Sequence, residues 1–211
     1  MENMNQLYEA ILKGNLALAV ETTKIAIEEK ADIKSIIEDY MSKAMDEIGQ
    51  RFESGKAFVP ELLMSARAMK GALELLRPLL VGSDIPRAGT IVIGTVKGDL
   101  HDIGKNLVAS MLEGSGFEVI NLGVDISSEK FANSIIEHKA DILCLSALLT
   151  TTMNYMKEVI RTLEDAGIRN QVKIMVGGAP ISQSFAREIG ADGYSSNANA
   201  AVSVAKQLLA S

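Results

Sequence analysis

The chain has two histidines, and one of them stands where chemistry is possible. His101 lies in the stretch Lys97-Gly98-Asp99-Leu100-His101-Asp102-Ile103-Gly104, two residues after one carboxylate and beside another. A carboxylate that accepts the Nδ1 proton of an imidazole fixes its tautomer and leaves a basic lone pair on Nε2. Such a ring can serve as a general base or as a metal ligand; it can also be a plain loop histidine beside a capping Asp. His138, in SIIEHKAD toward the end of a helical stretch, reads as a solvated surface residue.

The general-base reading needs a nucleophile. Ser146 and Thr150 are available, but no G-x-S-x-G turn exposes a serine. The metal reading meets a shortage of ligands, because one histidine and a lone Cys144 cannot assemble a tetrahedral zinc site or an iron–sulfur cluster. If His101 binds a metal, nearly all other ligands come from something that is not protein. A macrocycle supplies them, which points to a cofactor whose metal takes a single axial ligand from the chain. Phosphate binding fails on the same loop. The position five residues before Gly104 is Asp99, Asn106 follows Lys105, and no G-x-G-x-x-G follows the first strand.

These residues must be carried by elements of two kinds. Residues 1–81 read as helix throughout. Leu7, Ile11 and Leu12 begin a first amphipathic stretch ended by Gly14, and Asn15 caps a second with Leu18, Ala19, Thr22, Ile25 and Ala26 on one face. Asp32 caps a third, running from Ile33 to Phe52 at three- to four-residue spacing and closed by Gly55. Pro60 suits the first turn of a fourth, which Pro78 should distort near its end. Four helices with short links predict a small bundle.

From residue 88 the period changes. Short β-branched runs at 90–96, 117–122, 141–146, 172–177 and 193–196 alternate with helical stretches near 104–115, 128–138, 152–166, 181–189 and 198–209. This predicts an α/β fold: a helical bundle over 1–84, then a doubly wound, five-stranded parallel sheet over 85–211 in flavodoxin-like order 2-1-3-4-5. SDIPRAG at 83–89 is the natural linker. In such a sheet, ligands bind beyond the carboxyl ends of the strands, so the loops after the first, third and fourth strands should converge.

Composition sets the outer bounds. At 211 residues and 47% hydrophobic, the chain can bury a core, and wholesale disorder is excluded. Residues 1–87 carry 14 acidic and 11 basic side chains, so the net charge of −6 divides evenly and offers no basic stripe to a nucleic acid. No apolar run reaches the roughly 18–20 residues of a membrane span, and no secretory leader is visible. A cytoplasmic protein is expected.

Three motifs in order carry a family resemblance. Asp99-Leu100-His101-Asp102-Ile103-Gly104 resembles the D-x-H-x-x-G signature of cobalamin-binding domains, Ser146-Ala147-Leu148 their S-x-L motif, and Gly177-Gly178 their G-G motif. Residues 55–76 resemble the helical cap of methionine synthase and of corrinoid methyl carriers. The size and two-part layout are most similar to the corrinoid proteins of methylamine- and methanol-type methyltransferase systems. The resemblance implies cobalamin or a related corrinoid, with His101 as the lower axial ligand to cobalt, Asp99 hydrogen-bonded to it and Ser146 extending that relay. It also implies that Asp102, Ile103 and Gly104 lie close to the corrin, that Leu148 and Thr150 line a channel for the nucleotide tail, and that Gly177 and Gly178 let the backbone approach that tail. Phe58, Leu62 and Met64 are candidates to roof the other face of the cobalt.

The implied activity is carriage of a methyl group on cobalt, between Co(I) and methyl-Co(III), in one-carbon metabolism. The implied partners are a substrate-specific methyltransferase, a second methyltransferase acting on a thiol or folate, and a reductive activase. A hinge at 83–89 would let the cap move. Two alternatives share the cobalamin loops: a cobalamin-dependent sensor, and the small subunit of a carbon-skeleton mutase. A cofactor-free oligomeric scaffold is a third.

Overall fold

The computed structural model describes residues 2–80 and 88–210. The chain divides into two compact units, Met1–Arg87 with Glu113–Gly116, and Ala88–Leu112 with Phe117–Ser211. Most of the expected linker at 83–89 lies outside the described residues.

The first unit is helical: α1 (Glu2–Leu12), α2 (Leu16–Glu28), α3 (Ile33–Ser35), a π-helical stretch (Ile36–Met41), α4 (Ser42–Glu53) and α5 (Val59–Leu80). Asn15 and Asp32 act as N-caps, accepting from the backbone N–H of Leu18 and Ser35. The third predicted helix is thus one helical run with a π segment in its middle. Ile36 and Met41, five residues apart, are both buried, and the wider i→i+5 turn places them on one face. Helix α5 continues through Pro78 to Leu80. Helix α2 packs on α1 and α5, and α4 on the same two, around Leu7, Ile11, Met41, Leu62, Met69 and Leu76.

The second unit has five parallel strands: β1 (Thr90–Thr95), β2 (Glu118–Asn121), β3 (Ile142–Ser146), β4 (Lys173–Gly177) and β5 (Gly193–Ser195). They lie in the order β2-β1-β3-β4-β5, as the strand spacing predicts. Strands β1 and β3 are buried on both faces, the burial that helices on both sides impose. The connecting helices are α6 (Ile103–Gly114), α7 (Ser128–His138), α8 (Tyr155–Asp165) and α9 (Gln183–Glu188), with α10 (Ala198–Ala210) after β5. Val92, Leu143, Leu145, Ile174 and Val176 form a core on one face with Phe131 and Ile135 of α7 and with Met156, Val159 and Leu163 of α8. Side chains alternate along a strand, so Ile91, Ile93, Ile142, Cys144 and Met175 point to the other face. The step from β1 to β2 runs across the sheet against all later steps. Right-handed crossovers therefore put α6 on the face opposite α7, α8 and α9.

Candidate corrinoid site

The chain order reverses direction at β1, so its loop and the loop after β3 lie side by side. Thr95 pairs with Ser146 at the ends of the two strands. The loop after β4 joins them, since the Ala147 N–H donates to the Gly177 carbonyl at 3.3 Å. All ten residues expected at the site lie on these three loops or on the strand and helix ends beside them. Asp99, His101, Asp102, Ile103 and Gly104 run from the β1 loop into α6. Ser146, Leu148 and Thr150 follow β3, and Gly177 and Gly178 end β4.

Asp99 is the centre of the arrangement. Its carboxylate is fully buried and accepts five hydrogen bonds. Oδ1 takes the His101 backbone N–H at 3.0 Å and the His101 ring Nδ1 at 2.7 Å. Oδ2 takes the N–H groups of Leu148 at 2.8 Å and Leu149 at 3.3 Å, and the Thr152 hydroxyl at 2.7 Å. Burial alone would raise the pKa of this carboxyl. The donors from Leu148, His101 and Thr152 outweigh it and hold the group well below the usual carboxylate range. Asp99 is therefore ionised and acceptor-only, so Nδ1 of His101 carries the proton and Nε2 is the free nitrogen.

His101 itself keeps half of its side chain exposed. Its direction comes from the loop and not from packing: the buried Thr95 hydroxyl donates to the His101 carbonyl at 2.9 Å. Around it, Leu100, Ile103, Leu148 and Leu149 are exposed, with Ile103 at 87%. A Cβ built on Gly104 meets nothing within 4 Å, so the chain itself has no steric need for glycine there. Among the described residues, no group of three or more His, Cys, Asp and Glu side chains could hold a metal ion. A single free imidazole nitrogen, a rim of exposed apolar side chains and an open glycine fit a broad, largely apolar group that carries its own metal and takes one ligand from the protein.

Two expectations are corrected. The hydroxyl that reaches Asp99 is that of Thr152, whereas Ser146 makes no hydrogen bond with it. Six residues separate the two, and the turn over 149–154 folds Thr152 back under Asp99, with its N–H on the Leu149 carbonyl. Leu62 is fully buried in the helical bundle and offers no surface, while Phe58 and Met64 are exposed.

Gly178 has a role within the chain. Its φ is +131°, and an added Cβ would lie 1.8 Å from the Ala147 carbonyl oxygen, so the crossing of two loops alone demands glycine. Sequence reasoning missed Thr95 and Thr152, since a buried threonine near a strand end carries no signal until its partner is placed. Cys144 is buried in β3, which pushes its thiol up to about 12 and leaves it inert.

Comparison with known proteins places the chain in a family. A B12 binding domain family matches residues 89–203, and a second B12 binding domain family matches residues 4–77. The dimethylamine corrinoid protein 1 of Methanosarcina acetivorans is 46% identical, over 94% of this chain and 98% of its own length. The methanol:cobalamin methyltransferase complex of Methanosarcina barkeri is similar in structure, with a TM-score of 0.84 and 31% identity over 99% of this chain and 80% of that one. A cobalamin-binding protein from Desulfitobacterium hafniense DCB-2 superimposes with a TM-score of 0.81 and 29% identity, over 97% and 98% of the two chains.

Proposed function

The chain belongs to the corrinoid proteins built on B12 binding domains, and from that membership we propose that it carries a methyl group on the cobalt of a bound corrinoid. The donor side is a substrate-specific methyltransferase for a methylamine or methanol. The acceptor side is a second methyltransferase acting on a thiol or folate, and a reductive activase restores cofactor that has been oxidised. The relative named for dimethylamine and the methanol methyltransferase complex support this class of donor. The division of labour follows the two sequence halves, with residues 1–84 as the cap and 85–211 as the corrinoid-binding domain. The cytoplasm is the setting that suits it.

The bound corrinoid supplies a cobalt that accepts a methyl group and gives it up again. The chain supplies the rest. His101 would hold the cobalt through Nε2, with its Nδ1 proton kept on the hydrogen bond to Asp99. The β3 loop, through Leu148, Leu149 and Thr152, keeps Asp99 ionised and in place. Asp102, Ile103 and Gly104 provide the open, partly apolar surface beside the ring. Leu148 and Thr150 would line the path of the nucleotide tail, and Gly177 and Gly178 would let the backbone approach it; Ser146, at the end of β3, stands beside them.

The observation that carries the reading is the half-exposed His101 held at Nδ1 by a buried, ionised Asp99. The test is reconstitution with cobalamin, with visible spectra of the native chain beside those of His101→Ala. The expected result is a bound corrinoid whose axial-ligand bands change in the variant. Methyl transfer from methylamines or methanol is then assayed with cognate methyltransferases. Failure to bind any corrinoid, or identical spectra in the two proteins, overturns the assignment.

A further inference from the structure

Downstream of His101 a second polar network stands outside all three sequence motifs. Lys105, in the first turn of α6, is 4% exposed, which is rare for a lysine. Its Nζ donates to Oδ1 of Asn106 at 2.5 Å and to Oδ1 of Asn121, the last residue of β2, at 2.7 Å. Asn121 Nδ2 donates to Asn106 Oδ1 at 3.1 Å, and Asn106 Nδ2 donates to Asp102 Oδ2 at 2.9 Å. The Asn106 N–H also closes the turn on the Asp102 carbonyl at 2.7 Å. A continuous run of bonds thus ties the end of β2 to the residue that follows His101.

Packing alone gives no reason for lysine here. Burial of an ammonium is costly, and an apolar side chain would fill the same space without that cost. What the ammonium adds is direction, because it fixes two amide side chains from different elements at once. The upstream side of the loop is held by the same neighbour. Asp125, in the segment after β2, has a φ of 54°, accepts the Gly98 N–H at 2.7 Å and donates its own N–H to the Asp99 carbonyl at 3.0 Å. The stretch from Asn121 to Asp125 therefore grips the His101 loop at both ends, Lys105 being the downstream pin.

We propose that Lys105 is a positioning residue for the cobalt ligand: held between Asn106 and Asn121, it fixes the turn Asp102–Asn106 and so the direction in which His101 presents Nε2. This rests on the reading of His101 as the ligand. Lys105 touches neither the metal nor the methyl group and acts through the backbone of the loop.

Lys105→Met and Asn121→Leu break the same bridge from its two ends. In the full chain loaded with methylcobalamin, each is expected to lower the ratio of His-bound to His-free cofactor on the order of tenfold, the worth of one charge-assisted hydrogen bond. Asn121→Leu removes both the bond from Lys105 and its own bond to Asn106, which Lys105→Met leaves in place, so it should have the larger effect; the double variant should lose less than the two single effects multiplied, because both remove the Lys105–Asn121 bond. Asn121 is exposed, so its variant keeps the test alive if Lys105→Met fails to fold. A second readout needs no cofactor: the exchange rate of the His101 Nδ1 proton by NMR, where His138 is the only other imidazole signal. It should rise in both variants. A native chain that takes up no corrinoid would sink the ligand reading, while the imidazole readout still judges whether Lys105 orders the ring. Unchanged ratios, unchanged proton exchange, or effects that simply multiply in the double variant would overturn the proposal.

Discussion

Asp99→Asn separates the two tasks of this carboxylate. Asparagine offers one oxygen and one NH2 group where the carboxylate offers two oxygens. With its NH2 toward the β3 loop, it would face the fixed N–H groups of Leu148 and Leu149. With its NH2 toward His101, it faces one fixed N–H and a ring nitrogen that can shed its proton. The second orientation wins. It leaves the His101 N–H unpaired, at about 1–3 kcal/mol, and strips the charge from the bonds that survive, each of which loses about 1 kcal/mol. Relief of the buried charge offsets part of this, for a net loss of about 2–4 kcal/mol. Hydrogen exchange of the β1 and β3 amides reads that loss in the α/β unit by itself. The ring then accepts at Nδ1 and carries its proton on Nε2, the nitrogen a metal would need, and nitrogen-15 shifts of the imidazole report the change. The sign with pH is fixed too. Folding lowers the Asp99 pKa below its unfolded value of ~3.9, so its contribution is complete above that value and is lost as pH falls through the folded one. The stability gap between native and variant should therefore close in acid. A variant imidazole still protonated at Nδ1, or a stability loss under about 0.5 kcal/mol near neutral pH, would refute the account.

Thr152→Val removes one donor from Asp99 Oδ2 at little change in volume, which should cost about 1–2 kcal/mol and raise the Asp99 pKa toward its ordinary value. The acid limb of the exchange-derived stability curve should move to higher pH, and an unmoved limb counts against the relay. Gly178→Ala should destabilise the α/β unit by about 3 kcal/mol or more, given a φ of +131° and a Cβ 1.8 Å from the Ala147 oxygen. Gly104→Ala should leave the apoprotein unchanged or up to ~1 kcal/mol more stable, any loss showing only in a cobalamin-binding titration. Leu62→Ala should cost the helical unit about 2–5 kcal/mol in urea unfolding, against under about 0.5 kcal/mol for the exposed Met64→Ala.

What the sequence made legible follows from period and order. The five strands fall within a residue or so of the runs that predict them; β1 and β3, buried on both faces, are apolar along nearly their whole length, while the edge strands β2 and β5 were legible from their spacing between helical stretches. The sheet order followed from the alternation of strands and helices together with crossover handedness. The Asp99–His101 pair was legible because it is local, two residues apart. Thr152 was not. Its bond to Asp99 spans 53 residues and depends on a turn whose path no spacing rule fixes. The π stretch at Ile36–Met41 was likewise read as ordinary helix, its only trace being the five-residue gap between two buried side chains. The Met and Leu positions around 62–64 carry a helical period that cannot say which side faces the bundle. The Lys105 network was invisible because a lysine followed by an asparagine looks like any solvated helix surface.

The way the site is held follows from the exposure of His101. A ring left half exposed cannot be aimed by core packing, so its direction has to come from hydrogen bonds at Nδ1 and along its backbone. Those bonds converge on one carboxylate, and that carboxylate is positioned by a different strand. Parallel pairing of β1 with β3, in the register Thr95 to Ser146, brings the two loops to the same edge. The reversal of winding at β1 leaves that edge uncovered by a crossover. An antiparallel neighbour would have sent its loop to the far end of the sheet, and Asp99 would then have lost the three donors to Oδ2 from Leu148, Leu149 and Thr152, which offset the cost of its burial. The strand order is thus part of the chemistry: it keeps Asp99 ionised, which keeps the proton on Nδ1 and leaves Nε2 free.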